Sequence, residues 1–254
     1  LAPLAWSPAT TSTARATRAP RSWRRPVRLA LAACLAGVVA VGVWWQYRLR
    51  WPDGAGWAVV ATTGDVQGAD QTGNATWSVG QELVTGADGR ARIRVARIGV
   101  LDVAPGSRLR LEETHSGRHR IALQQGEVRA RVWAPPYRFG MTLSQSELWD
   151  LGCEFTLRAD AQGNGELIVH SGWVQFNEGA TETLVPQGAR VRLANGAPSG
   201  IPHDLGASAE FIAALRDVEA QATTMPVSDA RILRLIRASR AQDAISLVSL
   251  EIGR

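Results

Sequence analysis

Lysine is missing from the chain, so all 28 basic side chains among its 254 residues are arginine. Histidine occurs four times and cysteine twice. Two cysteines exclude a disulfide framework. Cys34 falls in an apolar run and Cys153 in a region of strands, so no disulfide within the chain is expected and Cys153 reads as a small buried strand residue. Acidic residues are absent from the first fifty positions, which carry eight Arg. The net charge is +5, so residues 51–254 carry three net negative charges. Nucleic-acid binding needs a basic folded face. The basic excess lies in the N-terminal tail instead, and no nucleic-acid partner is expected.

What is present begins with Leu29 to Trp45, a run without charge that reaches the lower limit of about 17 residues for crossing a hydrocarbon core. Arg24, Arg25 and Arg28 precede it. Trp44, Trp45, Tyr47, Trp51 and Trp57 cluster at its other end, where aromatic rings favour the headgroup level. Six Arg before the run against Arg48 and Arg50 after it predict a cytoplasmic N-terminus. A cleaved secretory signal would start similarly, but bulky Trp fills its cleavage zone. Leu31-Ala32-Ala33-Cys34 resembles a lipidation box, but most of the apolar run follows Cys34, which is the wrong order. A buried helix of a soluble domain would leave the Arg asymmetry and the Trp belt to coincidence. We therefore expect a disordered basic cytoplasmic tail over 1–26 and a transmembrane helix over 27–48. The opening Leu in place of Met implies a missing or non-standard start.

From residue 57 to about 195, short β-branched runs alternate with turn residues, the pattern of an all-β body: a two-sheet sandwich or a flattened solenoid. In Arg90 to Val95, Ala91, Ile93 and Val95 share one face and Arg90, Arg92 and Arg94 the other, the period of a half-buried strand. Asn164-Gly165 reads as the turn of a hairpin between Glu154–Arg158 and Glu166–His170. From 206 to 254 the period becomes helical, with one face formed by Phe211, Ile212, Leu215 and Val218. A second run, capped by Ser228, holds Ile232, Leu233, Leu235 and Ile236, and a third holds Ala244, Ile245, Leu247, Val248 and Leu250. These helices either pack on the β body or dock a partner; packing in cis is the commoner use of such faces.

Catalytic chemistry is not evident. An enzyme needs a nucleophile, an acid or base and a group that orients them. His115 and His119 flank the turn Ser116-Gly117, unlike a zinc-binding helix motif. Gly86-Ala87-Asp88-Gly89-Arg90 lacks the Lys-Ser/Thr of a phosphate loop. Asp160 to Gly165 is too short for a calcium loop and reads as a turn. No catalytic residue, cofactor or metal is predicted.

One ordered series of turn motifs runs through the body. It contains Thr63-Gly64-Asp65-Val66, then Thr85-Gly86-Ala87-Asp88-Gly89-Arg90-Ala91. It continues with Asp102-Val103-Ala104-Pro105-Gly106-Ser107-Arg108-Leu109, Gly126-Glu127-Val128, Asp150-Leu151-Gly152-Cys153 and Ser171-Gly172-Trp173-Val174. Just outside a single membrane span, this series resembles the FecR family of bacterial transmembrane sensors and anti-sigma regulators. The resemblance covers roughly residues 57–195. It implies a non-enzymatic inner-membrane protein with a periplasmic β domain. Partners would be an outer-membrane receptor or other envelope protein outside and an extracytoplasmic-function sigma factor inside. The family's sigma-binding module is a folded helical unit, whereas residues 1–26 are short and irregular. Candidate partner contacts are Asp88, Arg90, Arg108 and Trp173. The alternative is a membrane-anchored binding module for cell wall or envelope protein without a sigma factor, with Trp77, Trp133, Trp149 and Trp173 as stacking surfaces; burial in the β core is the commoner fate of such Trp residues.

Overall fold

The computed structural model describes residues 24–68, 75–179, 181–222 and 229–252. Most of the expected disordered tail, and the Ser228 cap, lie outside the described residues. The first element is helix α1 (Arg24–Leu49). Within it, Leu29–Tyr47 is long and apolar enough to cross a membrane and is not buried within the protein. Trp44 and Trp45 meet edge to face near its end.

The rest of the chain, from Gln46 on, forms one contact unit, and its fold is mostly β. Strands β1 (Trp57–Thr63), β2 (Val66–Gln67), β3 (Thr76–Trp77), β4 (Glu82–Thr85), β5 (Arg90–Val95), β6 (Gly99–Val103) and β7 (Arg108–His115) lead to the long strand β8 (Arg118–Val132). After it come β9 (Phe139–Leu143), β10 (Ser146–Asp150), β11 (Glu154–Ala159), β12 (Gly165–Ser171), β13 (Trp173–Glu178), β14 (Thr181–Pro186), β15 (Ala189–Leu193) and β16 (His203–Asp204). Two sheets result, and β8 belongs to both. Its first half pairs with β7 and β9 in the sheet β2-β4-β7-β8-β9-β10-β13-β14. Its second half pairs with β6 and β11 in the sheet β3-β1-β5-β6-β8-β11-β12-β15-β16. The change of sheet falls at Gly126, where φ is +97°. Among the described pairings only β8–β9 is parallel.

Period-two alternation closes the core. Ala91, Ile93 and Val95 of β5 are buried while the Arg residues between them are exposed. Leu101, Leu109, Ile121, Leu123, Val128, Phe155, Leu157 and Val191 join them in a single apolar cluster drawn from both sheets. Trp57, Trp77 and Phe139 fill one end of it.

Two local expectations change. The β11–β12 hairpin forms, but Asn164-Gly165 is not its two-residue turn. Asp160 accepts hydrogen bonds from the Gln162 and Asn164 amides, and the positive φ sits on Gly163. The side chain of Asp160 thus closes a longer turn, and Gly165 is already in strand. Cys153 is buried but lies in the turn before β11 rather than in a strand. Helix α2 (Ala209–Ala222) buries Phe211, Leu215 and Val218 as its period predicts. Helix α3 (Asp229–Ala238) carries the second apolar run as expected, with Leu235 buried and Leu233 and Ile236 exposed.

Helices α2 and α3 share a small core of their own, backed by Ile201 and by Leu247 of α4 (Ala244–Ile252). They are held in cis. Glu219 accepts from the Ile201 amide at 2.6 Å and the Ser246 hydroxyl donates to the Pro202 carbonyl at 2.8 Å.

Candidate partner-binding face

Four of the turn motifs interlock at one corner of the body. The Gly86 amide donates to Asp65 O and the Gly106 amide to Gly86 O. Thr85 Oγ1 donates to Ala104 O at 2.7 Å and accepts from the Ser107 amide at 2.8 Å. Ser107 Oγ donates to Ala104 O and accepts from the Glu127 amide. Thr85 and Ser107 are both buried. Buried polar groups need such partners. The spacing of these motifs therefore has a structural cause: each turn satisfies the next one's backbone.

From this corner the outer face of the β1–β16 sheet carries a lattice of charge. Directly opposed residues of antiparallel strands share a face. One rung runs Thr63, Arg90, then Glu127, Arg158, Glu166 and Arg192. The next runs Arg92, Asp102, Arg129, Thr156, Ile168, Arg190 and His203. A third holds Arg94, Val100, Arg131 and Glu154. Arg92 meets Asp102 at 2.6 Å, Arg158 meets Glu127 at 2.6 Å, and Glu154 takes both Arg129 and Arg131 at 2.7 and 2.9 Å. The Arg131 hydrogen bond, with help from Arg129, holds the Glu154 carboxyl below its ordinary pKa. Exposed pairs of this kind contribute about 0–1 kcal/mol each. Their sum matters more than any one of them. The three rungs hold eight Arg against four carboxylates, and Arg90 and Arg94 have no ion pair among the described residues. The face is thus basic although residues 51–254 are net acidic. It meets the nucleic-acid requirement only in part, because each rung carries a carboxylate that breaks any continuous phosphate track.

At its β1–β8 end the face sinks into an open groove of about 490 Å³ lined by Thr62, Thr63, Arg90, Arg92, Asp102, Glu127 and Arg129. Asp88 stands in the β4–β5 turn beside Asp65, whose amide it accepts at 3.4 Å. Arg90 lies in the groove, so these two residues are neighbours. Arg108 lies in the other sheet, opposite Val84 and 3.8 Å from Glu82. Trp173 opens β13 opposite Pro186 in that same sheet and is 48% exposed. The four candidates therefore do not form one site. Of the other Trp residues, Trp77 and Trp149 are buried and Trp133 is exposed. Trp149 lies over Gly140, with the Arg118 guanidinium 4.7 Å from its ring centroid. Sequence reasoning does not single out Arg129, Arg131, Arg190 and Arg192. Their signal is present in the alternation of Glu127–Arg131 and Ala189–Leu193.

A second feature is the segment that joins α1 to the body. Leu49 and Trp51 pack against the main core. The Trp51 amide donates to Ser116 Oγ at 2.8 Å, and that hydroxyl donates back to Trp51 O at 2.9 Å. Gly54 N donates to Thr114 O. Arg97 donates to Tyr47 O and places its guanidinium 4.6 Å from the centre of the Tyr47 ring. Behind Trp51 sits buried His119, with the edges of Trp51 and Trp57 against its ring. The Trp57 indole donates to Thr114 Oγ1 at 3.0 Å, and that hydroxyl bonds His119 Nδ1 at 2.9 Å. Burial pushes the His119 pKa down to about 4, with nearby His115 acting in the same direction.

No protein-family model matches the chain, and no curated protein matches it. Among solved structures, it is similar to a candidate anti-sigma factor from Parabacteroides distasonis, determined at 1.65 Å. That match has 16% identity and a TM-score of 0.42 and covers 52% of this chain and 63% of the other. A second structure under the same description, at 2.50 Å, has the same identity and TM-score and is covered over 62% of its length. The chain thus spans less than two thirds of either structure.

Proposed function

We propose that this is a membrane-anchored signalling protein of the FecR type. Its β body, on the periplasmic side, binds an envelope protein, and the chain regulates an extracytoplasmic-function sigma factor in the cytoplasm through protein contacts rather than catalysis. The observation that carries this reading is the tie between the body and the last turn of α1. Residues Tyr47 to Gly54, which follow the apolar run in sequence, are fastened at Arg97, Thr114 and Ser116, so a change in the body acts directly on that segment. The interlocked turn motifs supply the second support, because they give the family-like series a common structural role.

The test is co-purification of the full chain from its native membranes, with the body's side fixed by a periplasmic reporter fusion. Recovery of a sigma factor together with a periplasmic body is the expected result. Recovery of wall fragments or envelope proteins alone would favour the binding-module reading, which the exposed rings of Trp133 and Trp173 support. A cytoplasmic body would sink both. A second expectation concerns the tie. Ser116→Ala, at an exposed turn position, removes both hydrogen bonds to the Trp51 backbone; it should leave the body folded and weaken signal-dependent release of sigma activity in a transcriptional reporter, and an unaltered response would mean that the tie does not transmit.

A further inference from the structure

At the β15 end, helix α2 lies against the basic face, and the two line a separate cleft of about 310 Å³. We propose that this cleft binds a small amphipathic carboxylate, an acid group on a short branched apolar body. The inference goes beyond the signalling reading and does not depend on a sigma factor.

The floor of the cleft carries Arg190 and Arg192 of β15, and α2 adds Arg216. The carboxylates beside them are already engaged. Glu219 accepts from the Ile201 amide through one oxygen and holds Arg192 at 3.3 Å through the other. Glu166 is shared between Arg190 at 3.4 Å and Arg158 at 3.6 Å. Arg216 is exposed and has no ion pair among the described residues. Three guanidinium groups therefore face two committed acids, leaving Arg216 and the unfilled donors of Arg190 for an anion. A guanidinium offers a planar fork that matches a carboxylate.

The opposite wall is apolar. Ile201, Ile212 and Leu215 line it, and Leu215 is almost fully buried beneath. An apolar wall facing a few convergent polar groups is the usual build of a small-ligand site, and the volume sits at the low end of the range for such sites, about 300 Å³. A bare inorganic anion would use the guanidinium groups and leave the wall uncovered. A neutral ligand would use the wall and leave the charge unmatched. A carboxylate on a branched four- or five-carbon body uses both.

The test is isothermal titration of the full chain in lipid nanodiscs with three probes: 4-methylpentanoate, its neutral amide and inorganic phosphate. Saturable binding is expected for the carboxylate, at least tenfold weaker binding for the amide and for phosphate, and a tenfold or greater loss of carboxylate affinity in Arg216→Gln. Ile212→Ser should weaken the carboxylate and leave phosphate unchanged. Arg110→Gln, exposed on β7 of the other sheet and outside the cleft, serves as the control and should bind normally. Arg216 is exposed on a helix, so its replacement should not disturb folding; Arg190→Gln is a second variant expected to behave alike. Equal binding of carboxylate and amide, equal binding of carboxylate and phosphate, full affinity in Arg216→Gln, or no binding of the carboxylate would each overturn the proposal.

Discussion

Gly126→Ala should cost the fold about 4 kcal/mol, near the top of the range for a single substitution. Two effects add. The backbone there has φ +97°, a conformation that costs an L-residue about 1–2 kcal/mol. A Cβ at this position would also lie 2.6 Å from Ser107 Cβ, with Ser107 Cα and Oγ closer still. Ser107 cannot retreat, because its hydroxyl and amide hold Ala104, Glu127 and Thr85. Overpacking of a fixed site costs about 1–3 kcal/mol more. Gly80 provides the comparison. Its φ is +81° and nothing lies within 4 Å of its would-be Cβ, so Gly80→Ala should lose only the backbone share, about 1 kcal/mol. For a chain of this size the difference corresponds to about 10 °C in the unfolding midpoint. Thermal unfolding of the two variants in the same detergent measures it. Equal midpoints would show that the corner is not locked as described.

That same corner shows what the sequence could and could not disclose. The alternation of Arg90 to Val95 is a local pattern, so strand, buried face and exposed Arg row are all legible in those six residues. The all-β body and the apolar helix follow from equally local signals. The role of Gly126 is not local. Nothing in Gln125-Gly126-Glu127 says that one strand leaves its sheet there for the other; that depends on Ser107, nineteen residues earlier. Asn164-Gly165 misleads for a related reason, since the Asp160 carboxylate outcompetes the two-residue turn by capping the amides of a longer one. In helix α3 the apolar run is legible, but a run alone does not say which of its residues find a neighbour, and it is Leu235 that enters the core shared with α2. The candidate site is legible residue by residue and not as a site. Arg90 stands out by its exposed alternation, but joining it to Arg129, Arg190 and Arg192 requires the order β5-β6-β8-β11-β12-β15, which strand pairing sets and composition does not. The cleft under α2 needs one step more, the return of Arg216 over Arg190.

His119→Asn and Asp150→Asn should change the pH dependence of stability in opposite directions, each by about 3 kcal/mol between pH 7 and pH 4. His119 is buried as the neutral ring, with its pKa lowered from 6.5 to about 4. Its contribution is complete above pH 6.5. It is lost as pH falls toward 4, because the unfolded chain takes up the proton first. Asp150 is the reverse of the usual carboxylate. Burial raises its pKa from 3.8 to about 6 against the hydrogen bonds it accepts from Gly152, the Cys153 amide and the Cys153 thiol. The folded state therefore holds this proton more tightly than the unfolded one. Stability is favoured below about pH 4 and falls as pH rises through 6. The two windows overlap almost completely, so within the wild-type chain the contributions oppose and largely cancel. Asn at 119 keeps an acceptor where Nδ1 stands beside Thr114 and cannot be protonated. Its stability relative to wild type should rise by about 3 kcal/mol from pH 7 to pH 4. Asn at 150 removes the buried charge, and its stability relative to wild type should fall by a similar amount over the same interval. Taking each variant against wild type cancels the carboxylates whose pKa is depressed, such as Glu154 and Asp160. Urea unfolding at pH 4, 5, 6 and 7 gives the curves, and lines parallel to wild type would refute the assignment. On the proposed periplasmic side, where acidity follows the medium, this balance would keep the Trp51 tie, built directly over His119, steady while the outside pH changes.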